Sequence, residues 1–148
     1  MAHLGLLRIL PSLFGRVLIP PGVVRELATP PAGVIAVTVA DLPFADVRAP
    51  ADRARVGALR SQLDVGEAEA LALALEVQAD LVLIDESAGR AAAASLGLTY
   101  TGALGLLVRA KRAGLIAEVR PLLDSLQDGL RFFMDEPLRQ LILQLAGE

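Results

Sequence analysis

The sequence contains no cysteine and a single histidine, His3. Without thiols there is no disulfide, no thiol nucleophile and no Cys-ligated zinc. One histidine argues against a His-rich metal site and against a Ser–His pair; Ser87 has no neighbouring base and takes no nucleophile role. His3 itself sits in an apolar stretch and reads as structural or solvent-facing. Any metal must therefore be a hard cation on oxygen ligands, of the magnesium or manganese type. Tryptophan is absent and aromatic residues make up 3% of the chain, against 54% hydrophobic residues. The core must be built from Leu, Ala, Val and Ile, which suits helices packed on a parallel sheet. Lysine is almost absent too, Lys111 being the only one, and with a net charge of −3 the chain is no polycation. A local arginine patch remains open. No apolar run is long enough for a membrane span, because Ala68–Ile84 is interrupted by Glu69, Glu76 and Asp80. The apolar N-terminus has no basic lead and is broken by Arg8, Pro11 and Arg16, so it reads as neither signal peptide nor anchor. A cytoplasmic location is the expectation. Gly89, Gly97, Gly102 and Gly105 form no dinucleotide fingerprint or phosphate loop and read as caps and turns.

What is present is an alternation of helices and short strands in 148 residues, read as one domain spanning 1–148. Leu4–Leu13 reads as a short helix and Val17–Ile19 as a strand. A helix from Pro21 to Ala28 follows, with Pro21 in its first turn. Val34–Val39 fits either state and is assigned to a short helix. The stretch Thr29–Asp52 reads as the loosest region, with a strand at Ala45–Arg48. Asp52 caps a helix to Leu63, and Asp64 caps the central helix Val65–Gln78. Strand Leu81–Ile84, helix Ala88–Leu96 and strand Leu98–Tyr100 come next. Helices from Thr101 or Gly102 to Ala113, over Val119–Leu126, and from Asp135 to Ala146 complete the chain, with a brief extended piece at Phe132–Met134. Such alternation predicts an α/β fold with a parallel sheet.

The segment Leu63–Arg90, LDVGEAEALALALEVQADLVLIDESAGR, gathers acids at one edge of that sheet. Glu67 and Glu69 lie in the first turns of the central helix, and Asp85 and Glu86 end the strand that follows it. In open α/β sheets sites lie beyond the carboxyl ends of the strands. Glu26, in the helix after Val17–Ile19, falls on the same side. Clustered carboxylates repel one another, and a divalent cation relieves that repulsion. The bland alternative stays open: Asp64-x-x-Glu67 is a capping box, acids suit helix N-termini, and Glu26 can be a plain solvated glutamate. The arginines Arg53, Arg55 and Arg60, and the group Arg109, Lys111 and Arg112, read equally as phosphate contacts or as solvated helix faces. Arg90 stands apart because it follows Asp85 by one short turn.

Leu63–Arg90, followed by LGLTYTGALGLLVRAKRAGLI and RPLLDSL and preceded by LFGRVLIPPGVVREL, resembles a prokaryotic PIN-like group of predicted nucleic-acid-binding proteins. These are relatives of the PIN-domain ribonucleases of type II toxin–antitoxin pairs. The resemblance implies a three-layer α/β/α fold with a short parallel sheet, and Mg²⁺ or Mn²⁺ held by acids that activate water for RNA cleavage. By position it implies Glu26, Glu67 and Asp85 as catalytic acids, with Glu67, Asp85 and Glu86 as metal ligands and Glu69 as a weaker candidate. Arg90 matches the residue after the acid and implies a nucleic-acid contact. Single-stranded RNA, a small antitoxin protein and a second copy of the chain are the implied partners. Members begin with a central strand ending in aspartate, whereas MAHLGLL resembles the helical segment after it. The expectation is therefore a sheet without its N-terminal central strand and a site lacking that acid. The alternative function is a catalytically impaired PIN-like scaffold that binds a protein partner or RNA.

Overall fold

A computed structural model describes residues 5–129 and 132–148; in it the run VGEAEALALALEV forms a helix buried around most of its girth. His3 lies outside the described residues. The chain divides into two compact units, Arg16–Gly102 and the described parts of Met1–Gly15 with Ala103–Glu148.

In the unit Arg16–Gly102, strand β1 (Val17–Ile19) pairs in parallel with β2 (Ala45–Val47), Val17 lying opposite Ala45. Strand β3 (Val82–Leu83) pairs in parallel with β4 (Tyr100–Thr101), Val82 opposite Tyr100. The parallel pairing is as expected. The single sheet is not: among the described residues there are two separate two-stranded sheets, and no strand joins them. The strand expected at Leu98–Tyr100 is shifted to Tyr100–Thr101. Val34–Val39 is not a helix. After Pro30 and Pro31 it runs as turn and loop into a 3-10 turn, Val39–Asp41, where the Thr38 amide and hydroxyl donate to Asp41 Oδ2 at 2.8 and 2.9 Å. β-Branched side chains and the local Thr–Asp cap outweigh a weak helical period there.

The helices of this unit have legible starts. Pro20 and Pro21 open the helix Pro21–Ala28. Asp52 caps Arg53–Leu59 by accepting the Arg55 amide at 2.9 Å. Asp64 caps Val65–Val77 by accepting the Glu67 amide at 2.9 Å, and Gln78 closes that helix in the left-handed conformation. Glu86 precedes the helix Ser87–Ser95 without a side-chain cap bond. The core joins Val56 and Leu63 to Ala68, Leu71, Ala72 and Ala74 of the central helix, and to Val82, Ile84 and Ala93. Alanine on the central helix lets neighbouring backbones come close, which is how a core poor in aromatics reaches dense packing. Glu76 reaches from the same helix to the Ala51 and Asp52 amides, at 3.0 and 2.7 Å, and pins the loop that starts Arg53–Leu59.

The other unit is helical: Leu10–Phe14 after a 3-10 turn, Ala103–Arg112, Arg120–Gly129 and Glu136–Ala146. Leu106, Leu107, Leu123, Leu126 and Leu143 are fully buried. Glu148 accepts the Val119 and Arg120 amides, at 2.5 and 3.1 Å, at the start of Arg120–Gly129. Phe132–Met134, expected as a brief extended piece, lies outside any helix or strand. Among the described residues no helix is long and apolar enough to cross a membrane.

Candidate metal centre

Two helix N-termini and one strand end meet at the acidic edge. The Val65–Val77 helix brings Asp64 at its cap and Glu67 at its third position. The turn from β3 into Ser87–Ser95 brings Asp85 and Glu86, and Pro21–Ala28 brings Glu26 at its sixth position. Carboxylate oxygens of Asp64, Glu67 and Glu86 lie within 4.8 Å of one another. The cleft beside them is lined by Val23, Glu26, Gly66, Glu67, Asp85 and Glu86 among others, and is open to solvent with about 210 Å³ of room.

The electrostatics record the crowding. Burial, then the Asp64 charge, push the Glu26 carboxyl above its ordinary value of 4.5, with Glu86 adding to the effect. Burial, then the Asp64 and Glu86 charges, push Glu67 up from 4.5 as well. Hydrogen bonds from the Gly66 amide to Glu26 and from the Asp64 amide to Glu67 act the other way. The capping reading is thus correct as far as it goes, since the Asp64 carboxylate accepts the Glu67 amide at 2.9 Å. Repulsion and burial still prevail over capping at both glutamates. An all-carboxylate donor set of this kind, short of positive charge, suits a hard divalent cation.

Glycines let these acids approach foreign backbone. A Cβ built on Gly66 would stand 2.8 Å from Glu26 Cδ, and one on Gly89 would stand 2.7 Å from Glu67 Oε1. One on Gly102 would stand 2.8 Å from Asp85 Oδ1 and 3.8 Å from Arg90 Nη1.

The acids picked out by sequence do not all converge equally. Glu67 and Glu86 are in the tight triad, and Glu26 couples to Asp64 and Glu86 from the side. Asp85 lines the same cleft but is not in the triad; its carboxylate lies over Gly102 with the Arg90 guanidinium close by. Asp64 is the member that sequence reasoning left as a cap only. Its signal was present, because a cap three residues before Glu67 shares the helix end with it. Glu69 points away from Glu67, as the two-residue offset predicts, and is the one buried charged residue among those described, 2% exposed. Several other arginines are committed within the fold. Arg25 and Arg53 pair with Glu69, Arg55 with Asp52, and Arg112 donates to the Leu145 carbonyl.

No curated protein and no solved structure matches this chain. A family model described as DUF3368, PIN domain, matches residues 1–148. With the match running the length of the sequence, the chain belongs to this PIN-domain family.

Proposed function

We propose that the chain is a metal-dependent PIN-domain ribonuclease, of the kind that serves as the toxin of a type II toxin–antitoxin pair. The observation that carries this reading is the triad Asp64, Glu67 and Glu86, with oxygens within 4.8 Å in a solvent-filled cleft of a PIN-domain chain. Glu67 and Glu86 would hold Mg²⁺ or Mn²⁺ together with Asp64, and Glu26 would hold it from the α-helix opposite. Such an ion supplies a water of lowered pKa and charge stabilisation for phosphodiester hydrolysis. Asp85 lines the cleft, where it would accept a proton or orient a water. Arg90, beside it, supplies a charge-assisted donor for a phosphate oxygen. Single-stranded RNA fits an open cleft in which the scissile phosphate must meet the acids from solvent.

The test is cleavage of single-stranded RNA with and without Mn²⁺. We expect cleavage that requires the metal and is lost in Asp85→Asn and Glu67→Gln. Cleavage that persists in chelator, or is unchanged by both substitutions, overturns the assignment. A second reading, an impaired scaffold that binds RNA or a small partner protein, draws support from Asp85 lying outside the tight triad. It predicts RNA binding without Mn²⁺-stimulated cleavage.

A further inference from the structure

Glu69 is buried and charged, yet the proposed chemistry does not use it. Burying a carboxylate is costly unless it is paired and hydrogen-bonded. Glu69 Oε2 accepts the Gly22 amide at 2.7 Å, and its other oxygen lies 3.6 Å from Arg53 Nη1 and 3.9 Å from Arg25 Nη2. The Gly22 bond repairs a specific defect. The helix Pro21–Ala28 has Pro20 at its cap, with no side-chain acceptor; Pro21 has no N–H and the Val23 amide donates to the Pro20 carbonyl at 3.1 Å, so the Gly22 amide is the early donor left without a local acceptor. Glu69 reaches across from the central helix and caps it.

The converse approach is also made. Glu26, at the sixth position of Pro21–Ala28, lays its carboxylate over Gly66 at the start of Val65–Val77, with Cδ 2.8 Å and Oε2 2.9 Å from where a Cβ would stand. Each helix therefore carries a glutamate that reaches the start of the other, and in each the residue reached is a glycine at the second helical position. Both glycines are needed at this range. A Cβ on Gly22 would stand 3.0 Å from Glu69 Oε2 and 3.0 Å from Gly66 Cα, so the two backbones touch. A side chain at Gly22 would force the helix starts apart, whereas one at Gly66 would displace the Glu26 carboxylate.

We infer that Glu69 is a positioning residue. Its bond to Gly22, matched by the close approach of the Glu26 carboxylate to Gly66, clasps the two helices and holds the Glu26 carboxylate at the metal centre. The inference rests on the metal-site reading, but the clasp is testable apart from it.

Two measurements decide it. The first is Mn²⁺ affinity by calorimetric titration at a temperature where far-ultraviolet circular dichroism shows each variant folded. Glu69→Ala should weaken Mn²⁺ binding about tenfold, the scale typical of losing a group that orients a ligand. Glu69→Gln, which keeps an acceptor for Gly22, should recover most of that loss. A variant that melts lower but binds Mn²⁺ like the wild type gives Glu69 a purely structural role and overturns the inference. The second measurement is a double-mutant cycle of Glu26→Ala and Glu69→Ala in urea unfolding without metal. Non-additive losses support the clasp, and additive ones overturn it. A wild-type chain that binds no Mn²⁺ would end the metal-site reading, with the cycle still deciding whether Glu69 and Glu26 act as one device.

Discussion

Gly66→Ala separates a site glycine from an ordinary helix glycine. In a helix interior alanine is favoured over glycine by about 1 kcal/mol. Gly57 in Arg53–Leu59 shows the unopposed case, because nothing lies within 4 Å of a Cβ placed there. Gly57→Ala should therefore stabilise the protein by roughly that amount, about 2–4 °C in Tm for a chain of this size. At Gly66 the same gain is opposed. The new Cβ would stand 2.8 Å from Glu26 Cδ and 2.9 Å from Glu26 Oε2. Ordinary carbon contacts are about 3.5–4.0 Å, so the carboxylate must retreat by about 0.7 Å or more. That retreat takes it away from the Gly66 amide, whose favourable interaction with the Glu26 charge is weakened or lost. A hydrogen bond to a charged group is worth about 1.5–3 kcal/mol, and the low end applies to a glutamate that keeps much of its water. Gain and loss nearly cancel, leaving Gly66→Ala within about 1 kcal/mol of the wild type. Mn²⁺ affinity has no such compensation and should fall about tenfold as Glu26 leaves its place. Urea unfolding without metal and calorimetric Mn²⁺ titration of both alanine variants provide the comparison. A Gly66→Ala protein that gains as much stability as Gly57→Ala and keeps wild-type Mn²⁺ affinity would refute the placement of Glu26.

Saturating Mn²⁺, at a hundred times its Kd, should stabilise the wild type by about 2.7 kcal/mol, read as a rise in Tm. Glu67→Gln should abolish that rise, while its metal-free Tm increases by about 1–2 °C because a neutral amide relieves repulsion from Asp64 and Glu86. The pH dependence has a definite sign. Glu26 and Glu67 have raised folded-state pKa values, so protonation favours the folded state as pH falls from neutral towards 4.5. Metal-free stability should rise over that window while Mn²⁺ affinity falls, since protons compete for the same oxygens. Below 4.5 the trend reverses. The Asp52 amide, then that of Ala51, hold Glu76 below its ordinary value, and the Val119 amide does the same for Glu148. The stability those two give is present above 4.5 and is lost as the pH drops through their folded pKa values; circular dichroism melts at stepped pH read both limbs. Arg90→Ala should weaken single-stranded RNA binding and reduce the slope of log K against log salt by about 0.7, the share of one phosphate contact. An unchanged slope in fluorescence anisotropy would remove Arg90 from the RNA interface.

Much of the fold was legible in local chemistry. Prolines at 20 and 21, Asp52, Asp64 and Asp135 mark helix starts through rules that act within one turn, and the helices begin there. Alternating short strands and helices announced parallel pairing, and both observed strand pairs are parallel. The segment Leu63–Arg90 was likewise readable as a helix and strand with acids at both ends. Absence of thiols and near-absence of histidine had already limited any metal there to oxygen ligands.

Other features depend on distances between residues far apart in the chain. Sequence could not say that Val34–Val39 would be loop, because its two periods were equally good until the Thr38–Asp41 cap formed. Asp64 reads as a cap from its position alone; only tertiary packing brings its oxygens within 4.8 Å of Glu67 and Glu86. Glu69 looked like a spare acid two places along from Glu67. Its burial, and its bond to an amide 47 residues away, arise from the close crossing of two helix starts. The sequence by itself determined which groups could bind a cation, since that is a matter of donor atoms. The tertiary structure decided which of them stand together and which hold the others in place, since repulsion, burial and helix capping act through space.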